Sequence, residues 1–264
     1  MSKIGFYGAG NMAQAIIHGM LATDSYVKED ILVYNHRYEP TLKKVEEQFQ
    51  IIPILDEKEF FQQVDIVIFA VKPAILLIRL PEVAQWIDTQ LLVSIAAGVT
   101  IHQMEEILGE KKIIRVMPNT PSTVNAGMAS VSGNQEVSAE ETETVVAIFQ
   151  SFGRAVVLPE SQIDAVVGVS GSSPAYAYLF IEALADGAVL SGMSRPHAYE
   201  FAAQAVLGAA KMVLETGKHP GELKDQVCSP GGTTIEAVRS LEENGFRSAV
   251  IQAVQAAAKK NQEM

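Results

Sequence analysis

A glycine-rich loop near the N-terminus, set between an apolar segment and a helical pattern, constrains this chain more than any other feature. The loop reads Gly8-Ala9-Gly10-Asn11-Met12-Ala13. In a G-x-G-x-x-A pattern the first glycine permits a tight turn, the second lets the backbone approach a pyrophosphate, and the alanine lets helix and strand pack closely. The following helix offers the anion free N–H groups and the positive end of its dipole. The order of strand, loop and helix predicts that this segment binds a nicotinamide dinucleotide; the alternative is a glycine-rich turn that binds none.

The first 160 residues alternate apolar runs with helical patterns. The predicted strands are Lys3–Gly8, Ile31–Asn35, Ile51–Ile54, Ile66–Val71, Leu91–Ala96, Ile113–Met117, Ala126–Ser132 and Ala155–Leu158. The predicted helices include Met12–Leu21, Pro40–Gln50, Ala74–Ile87 and Ala139–Phe152. Apolar strands that alternate with helices predict right-handed βαβ units and a doubly wound parallel sheet. The fold class is therefore α/β, with residues 1–160 forming a Rossmann-type dinucleotide-binding domain.

From residue 161 onward, Ala-rich helical patterns replace the strand-like runs. The predicted helices here include Pro174–Leu190, Pro196–Glu215 and Phe246–Lys260. Their many small and uncharged positions let helices approach closely and favour burial against a second subunit. We expect residues 161–264 to form an all-α dimerisation and substrate-binding domain. A self-contained helical bundle is the alternative.

Composition excludes several classes of partner. The formal net charge of −11, with no cluster of basic residues, argues against nucleic acid, which needs a basic surface. No apolar run approaches the roughly 20 residues needed to span a bilayer, so we expect no membrane partner. The single cysteine, Cys228, and a strand-like segment at the start of the chain predict a cytoplasmic protein without a signal peptide. The five scattered histidines lack ligand spacing, so no metal site is expected.

The residues after the second predicted strand bear on the choice of cofactor. NAD sites usually place Asp or Glu there to bind the ribose 2′-hydroxyl, whereas this chain reads Asn35-His36-Arg37 and has no carboxylate before Glu39. Arg37 can pair with a 2′-phosphate, so NADPH is favoured and NADH is the alternative. A solvated surface arginine would explain Arg37 equally simply. Two further loops at strand ends complete the predicted cofactor contacts: Ala70-Val71-Lys72-Pro73 and Ala96-Ala97-Gly98.

Two turns in the helical half are rich in hydroxyls and glycine. They are Ser170–Tyr176 and Val227–Ile235, and each precedes a predicted helix. Backbone N–H groups at such a helix start suit a carboxylate. Ordinary N-capping is the alternative, but it needs only one Ser or Thr, and the second turn carries Ser-Pro-Gly-Gly-Thr-Thr.

These segments together resemble the pyrroline-5-carboxylate reductase family over essentially the whole chain. The matching stretches are Gly8–Ala13, Ala70–Pro73, Ser94–Val99, Arg115–Pro121, Leu184–Gly187, His219-Pro220 and Leu223–Ile235. Asn119, within one of them, joins the predicted cofactor contacts. The chain departs from the family at Ser173, where a second glycine is usual, and at Asp56-Glu57, where a common asparagine is missing. The first departure bears on the shape of the pocket.

The resemblance implies an architecture and a reaction. The family has a dinucleotide-binding domain and a helical domain that interlocks with that of a second subunit, so that the active site includes the partner's helices; some members assemble further into decamers. The substrate would be a cyclic imine with a carboxylate, reduced by hydride from the nicotinamide to give proline in the last step of proline biosynthesis. By the same resemblance, the hydroxyl of Thr234 bonds the ring nitrogen, while Ser229, Gly232 and Thr233 hold the carboxylate.

Two other functions remain open from the sequence. A β-hydroxyacid dehydrogenase of similar architecture would carry a lysine and an asparagine at the start of the helical domain, where this chain has Ala177 and Ile181. Imine reduction needs no such lysine, because a protonated imine already accepts hydride. A non-catalytic NADP-binding regulator would keep the phosphate loop but would have no need of the Ser229–Thr234 turn.

Overall fold

Seven short strands form one sheet in a computed structural model that describes residues 2–23 and 26–263. The strands are β1 Ile4–Tyr7, β2 Ile31–Tyr34, β3 Ile66–Phe69, β4 Leu91–Ser94, β5 Ile113–Met117, β6 Gly127–Gly133 and β7 Gly153–Val157. The helices are α1 Asn11–Leu21, α2 Lys43–Phe49, α3 Glu57–Gln63, α4 Pro73–Val83, α5 Ile101–Leu108, α6 Ala139–Gln150, α7 Ile163–Val166, α8 Ser173–Leu190, α9 Arg195–Thr216, α10 Pro220–Val227, α11 Thr233–Glu243 and α12 Phe246–Gln262. The predicted α/β class is confirmed.

The sheet runs in the order β2-β1-β3-β4-β5-β6-β7. Every neighbouring pair is parallel except β5 and β6, which are antiparallel. The sheet is thus mostly rather than wholly parallel. The reason is the short connection between β5 and β6, since a parallel crossover needs a dozen or more residues and only residues 118–126 are available.

The strand predicted over Ile51–Ile54 is wrong. Only Ile54 pairs with the sheet, through a single bridge to Tyr34 in which its N–H donates to the carbonyl of Val33 at 3.0 Å. Pro53 has no N–H to donate to a ladder, and Ile52 is 83% exposed, so the segment runs along the edge of the sheet without joining it.

Helices cover both faces of the sheet. One face is buried against α1, α2 and α6, with Ile16, Val45 and Phe149 at its centre. The other is buried against α3, α4 and α5, where Phe60 and Leu76 are fully buried. Two apolar layers around one sheet are the doubly wound arrangement, in which ligands bind at the carboxyl ends of the strands.

Several helices have side-chain caps that explain where they begin. Asp56 accepts the N–H of Glu59 at the start of α3. Complete capping boxes open α5, through Thr100 and Gln103, and α6, through Ser138 and Glu141. A cap of this kind satisfies N–H groups that the helix leaves free, so these three helix starts are complete in themselves.

Contacts divide the chain into two compact units. One runs from the N-terminus to Gly171 and takes in the C-terminal residues from Ala257; the other is Ser172–Ala256. The boundary predicted between residues 160 and 161 stays a prediction.

The second unit is helical and has very little buried interior. Helices α8 and α9 pack together around Ala185, Ala198 and Ala202, the buried apolar residues of the described part of this unit. The Phe180 and Phe246 rings, 5.9 Å apart, join α8 to α12. Large apolar side chains stand exposed along the same helices: Tyr178, Leu179, Leu184, Leu190, Phe201, Leu207, Met212, Leu214, Val250 and Ile251. Exposed apolar area of this extent marks an interaction surface.

Candidate active site

The glycine-rich loop joins β1 to α1 and lies against the next strand of the sheet. Gly8 has a φ of +112°, and a Cβ built on it would lie 2.7 Å from the carbonyl oxygen of Ala70. Its N–H donates to the carbonyl of Tyr34 at 2.8 Å. Both the backbone conformation and the close approach therefore require glycine at position 8.

The start of α1 is open to a ligand. Gly10 holds the N-cap position in an extended conformation, and no side chain of the described residues caps the helix. A Cβ on Gly10 would meet no atom of the described chain within 4 Å. Ala13 is fully buried against the sheet, and the side chain of Gln14 donates to the carbonyl of Ala9 at 2.8 Å, which fixes the loop. Free N–H groups facing open space fit a pyrophosphate.

A cavity of about 500 Å³ lies beside this loop and is called here the β2 cavity. It is lined by Tyr7, Gly8, Tyr34, Asn35, His36, Arg37, Glu39, Pro40, Thr41, Val71, Ile75 and Arg79. It therefore brings together three predicted segments: the phosphate loop, the residues after β2 and the residues after β3. The amide of Asn35 donates to the carbonyl of Arg37 at 2.8 Å and to the hydroxyl of Thr41 at 3.1 Å, so Asn35 shapes this loop.

The loops after β3 and β4 reach the same edge of the sheet. The N–H of Ala70 donates to the carbonyl of Tyr7 at 2.9 Å. Lys72 stands at the N-cap of α4, with Pro73 as the first helical residue, and its ammonium makes no ion pair within the described ranges. After β4, Ala96 is buried, Ala97 is half-buried, and Gly98 has a φ of +77°.

Asn119 follows β5 and is used structurally. Its Oδ1 accepts the N–H of Met128 at 2.9 Å, while its Nδ2 donates to the carbonyl and the hydroxyl of Ser170 at 3.2 and 3.3 Å. The amide thereby ties together the start of β6 and the first predicted hydroxyl-rich turn. A cofactor contact by Asn119 stays a prediction.

The second hydroxyl-rich turn connects α10 to α11. Gly231 has a φ of +66°, and the N–H of Gly232 donates to the carbonyl of Ser229 at 3.0 Å. Gly232 is the N-cap of α11, which has no side-chain cap within the part of the chain described. Thr233 is the first helical residue and is exposed, and Thr234, next to it, is half-buried. The arrangement leaves N–H groups and two hydroxyls at one helix start, which suits a carboxylate.

The one carboxylate in the first turn of α11 is neutralised locally. The Nε–H of Arg239 is shared between the two carboxylate oxygens of Glu236, each 3.2 Å from the nitrogen. This pairing holds the pKa of Glu236 below its usual value, because the guanidinium of Arg239 stabilises the ionised carboxylate.

A further cluster at the wall of the β2 cavity was missed by the sequence analysis. The hydroxyl of Tyr7 and the guanidinium of Arg79 both bond the carboxylate of Glu57. These residues come from β1, α4 and the first turn of α3, so no local motif contains them. The only signal in the sequence is the spacing of Ile75 and Arg79, which places both on one face of a helix.

Two further findings concern metals and membranes. Over residues 2–23 and 26–263, no group of three or more His, Cys, Asp or Glu side chains is placed to hold a metal ion. Within the same ranges, no helix has the length and apolar character that crossing a membrane requires.

Fold and site together define a dinucleotide-binding protein of the Rossmann class, and the family comparisons show an oxidoreductase of an NADP-dependent family. Residues 3–98 match the model of the family described as NADP oxidoreductase, coenzyme F420-dependent. Residues 160–264 match the model for pyrroline-5-carboxylate reductase dimerisation. The chain belongs to the pyrroline-5-carboxylate reductase family.

Known relatives match over almost their full length. The pyrroline-5-carboxylate reductase of Escherichia coli strain K12 is 54% identical over 267 residues, which cover 99% of this chain and 98% of the relative. A solved pyrroline-5-carboxylate reductase from Coxiella burnetii superposes with a TM-score of 0.94 at 34% identity, covering 99% of this chain and 98% of its own. The Plasmodium falciparum pyrroline carboxylate reductase, solved with NADP bound, superposes with a TM-score of 0.88 at 34% identity. The match covers 99% of this chain and 97% of the Plasmodium chain.

Proposed function

We propose that this chain reduces the C=N bond of 1-pyrroline-5-carboxylate to give L-proline, the last step of proline biosynthesis, with NADPH as the preferred cofactor and NADH as a poorer one. The observation that carries the proposal is the 54% identity to the E. coli reductase over 99% of this chain. The lone cysteine, Cys228, favours a reducing compartment, and we place the reaction in the cytoplasm.

The residues around the β2 cavity and the neighbouring loops would hold the cofactor. They are Gly8, Ala9, Gly10, Asn11, Met12, Ala13, Asn35, His36, Arg37, Ala70, Val71, Lys72, Pro73, Ala96, Ala97, Gly98 and Asn119. The open start of α1 supports a pyrophosphate there, since a Cβ on Gly10 would point into free space. Arg37 is exposed at the cavity and supports recognition of the 2′-phosphate. When bound, the cofactor supplies the hydride from C4 of its nicotinamide ring.

The turn before α11 would hold the substrate. Ser229, Gly232 and Thr233 offer hydroxyls and N–H groups to the carboxylate, at the positive end of the α11 dipole. Thr234 offers its hydroxyl to the ring nitrogen and steadies the proton there. The chain needs no separate acid, because a protonated imine already accepts hydride; its task is to fix the ring in a reactive orientation.

The reaction is tested by following consumption of NADPH with the cyclic imine, with imine-free samples as the control. No consumption by the folded wild-type protein would exclude this function. It would leave the regulator that only binds NADP, which titration with NADP⁺ detects independently. Turnover of a β-hydroxyacid in place of the imine would favour the related dehydrogenases.

The role of Thr234 is tested by two matched substitutions. Thr234→Ala should lower kcat by about 10- to 1000-fold, the range for a positioned polar partner, whereas Thr234→Ser keeps the hydroxyl and should retain most activity. Thr233→Ala is expected instead to raise KM for the imine. Wild-type turnover by Thr234→Ala at saturating substrate would contradict the assigned role.

We also propose that the helical unit joins two subunits and that dimers assemble further, up to a decamer. Matching of residues 160–264 to a dimerisation model supports the first step, and so do exposed side chains such as Leu179, Leu190 and Phe201. Analytical ultracentrifugation over a range of concentrations distinguishes a dimer from a decamer. A monomer at micromolar concentration would contradict both.

A further inference from the structure

The wall of the β2 cavity contains an ion-pair network that the proposed function does not use. Arg79, on α4, lines the cavity and pairs with Glu57 and with Glu82. Its Nε also donates to the hydroxyl of Tyr7 at 3.2 Å. The hydroxyl of Tyr7 in turn donates to the second oxygen of Glu57. Side chains from β1 and α4 therefore converge on the one carboxylate that α3 supplies.

Glu57 is held away from solvent by this network. Its side chain is 11% exposed, compared with 30% for Arg79 and 54% for Glu82. Burial, reinforced by the bond to Glu57, raises the pKa of the Tyr7 phenol well above its ordinary value, so the phenol stays protonated and donates. Both oxygens of Glu57 are thus engaged by donors, and the carboxylate lies directly behind Tyr7 and Arg79, which line the cavity.

The charges around the cavity make this pairing consequential. Among the described residues, Arg37 and Arg79 are the arginines that line the cavity, and Glu39 is its one lining carboxylate. A carboxylate near the end of the second strand is the group by which NAD enzymes bind a free 2′-hydroxyl and repel a 2′-phosphate. With Arg79 in place, the charge of Glu57 is paired with the guanidinium, and its other oxygen accepts the hydroxyl of Tyr7. Without Arg79, the wall would lose a cation, and a buried carboxylate behind it would lose its main partner.

We propose that Arg79 is a specificity-determining residue for the cofactor: it neutralises Glu57 behind the cavity wall and so favours an adenosine that carries a 2′-phosphate. The inference rests on the proposed function only in taking the β2 cavity as the adenosine site. Arg79 acts partly through Glu57 and is in that respect a positioning residue. Arg37 remains the group that meets the phosphate.

Binding of two small probes isolates the effect from catalysis. Adenosine 2′,5′-bisphosphate and adenosine 5′-monophosphate differ only in the 2′-phosphate, and calorimetric titration gives Kd for each. Arg79→Met should raise the Kd for the bisphosphate about tenfold or more, as expected for the loss of one charge near a dianion. The Kd for the monophosphate should change less than about threefold. Arg247→Met, which removes an exposed arginine paired with Glu242, is the matched control and should change neither.

A second substitution separates charge from structure. Glu57→Gln in the Arg79→Met background should restore a large part of the lost preference, because it removes the carboxylate that lost its partner. A purely structural role for Arg79 predicts no such rescue. Glu57→Gln alone should increase the preference for the bisphosphate severalfold, and this variant carries the test if Arg79→Met does not fold.

Each outcome decides the inference. Equal weakening of both probes by Arg79→Met, no rescue in the double variant, or an unchanged probe ratio in Glu57→Gln would overturn it. These results are distinguishable from a failure of the proposed function, which is read from NADPH consumption by the wild-type protein. If the wild-type protein turns over the imine and the ratio of the two probe Kd values is unchanged in every variant, only the role of Arg79 is refuted.

Discussion

Alanine should affect two glycines of the phosphate loop in different ways, lowering the stability of the protein at position 8 and its affinity for the cofactor at position 10. Alanine at position 8 would sit at a φ of +112° with its Cβ 2.7 Å from the carbonyl oxygen of Ala70 and 2.8 Å from Cγ1 of Val71. Alanine at position 10 would keep a φ of −69°, with no atom of the described chain within 4 Å of the new Cβ. One position is closed by the protein itself, and the other is open toward the proposed ligand.

The free energies of unfolding follow from this geometry. A left-handed backbone costs a non-glycine residue about 1–2 kcal/mol, and a forced contact in a packed region costs a further ~1–3 kcal/mol. Gly8→Ala should therefore lose about 3 kcal/mol, which lowers Tm by roughly 6–12 °C in a chain of this size. For Gly10→Ala, a weaker N-cap costs up to ~1 kcal/mol, and the smaller entropy of the unfolded chain offsets about 0.4–1 kcal/mol, so the net change is near zero.

Gly10→Ala, which leaves stability almost unchanged, should instead weaken binding of NADP⁺. Gly10→Ala places a methyl group where the pyrophosphate would approach. The loss of even one charge-assisted hydrogen bond, worth about 1.5–3 kcal/mol, should raise the Kd for NADP⁺ about tenfold or more. Urea titration of the cofactor-free protein, at the same protein concentration for every variant, gives the free energies of unfolding. Calorimetric titration gives the Kd for NADP⁺. The reasoning is refuted if Gly8→Ala is as stable as the wild type, or if stable Gly10→Ala binds NADP⁺ unchanged.

Three further outcomes are expected from other parts of the chain. Arg37→Ala should raise KM for NADPH about tenfold and leave KM for NADH nearly unchanged in steady-state assays, since only NADPH carries the 2′-phosphate; equal effects on both would exclude that contact. Phe201→Glu, on an exposed apolar face of α9, should shift sedimentation toward the monomer, and an unchanged assembly would place the interface elsewhere. Glu160→Gln should cost about 2–4 kcal/mol in urea unfolding, because it leaves the buried Arg115 guanidinium, now 2.9 Å from Glu160, without its counter-charge; a loss under ~1 kcal/mol would show that this pair is not needed.

The fold could be predicted wherever one contiguous segment carries the signal. Strand β5 has the predicted bounds, Ile113–Met117, and α1 begins within one residue of its prediction. Helix α3 was not predicted, because seven residues are too few to establish a helical period, although Asp56 provides an N-cap. Ile51–Ile54 failed for the opposite reason: its composition is typical of a strand, but Pro53 prevents the pairing.

Side-chain contacts between distant segments that belong to no motif could not be predicted. The side chains of Asn261 and Gln262, at the end of α12, donate to the carboxylate of Asp164 at 2.7 and 2.9 Å, so the C-terminus returns to the unit that contains the sheet. Nothing local to these residues indicates that pairing. The link between Glu57 and Arg79 is of the same kind, since it depends on how two helices pack on one face of the sheet.

This difference explains why the two anion sites could be proposed from the sequence more readily than the residues that select the cofactor. The two proposed anion sites each consist of one uninterrupted segment with glycine at a helix N-cap, Gly10 before α1 and Gly232 before α11, and neither helix has a side-chain cap in the described chain. The helices α3, α5, α6 and α10, by contrast, have their first N–H groups bonded by Asp56, Thr100, Ser138 and His219. A cap and an anion compete for the same N–H groups, so a glycine there gives up part of the stability of the helix in exchange for a ligand site. Such an exchange is visible in the sequence as a glycine where a capping residue is expected. The charge balance that selects one adenosine over another depends on Arg79 and Glu57, which only the folded chain brings together.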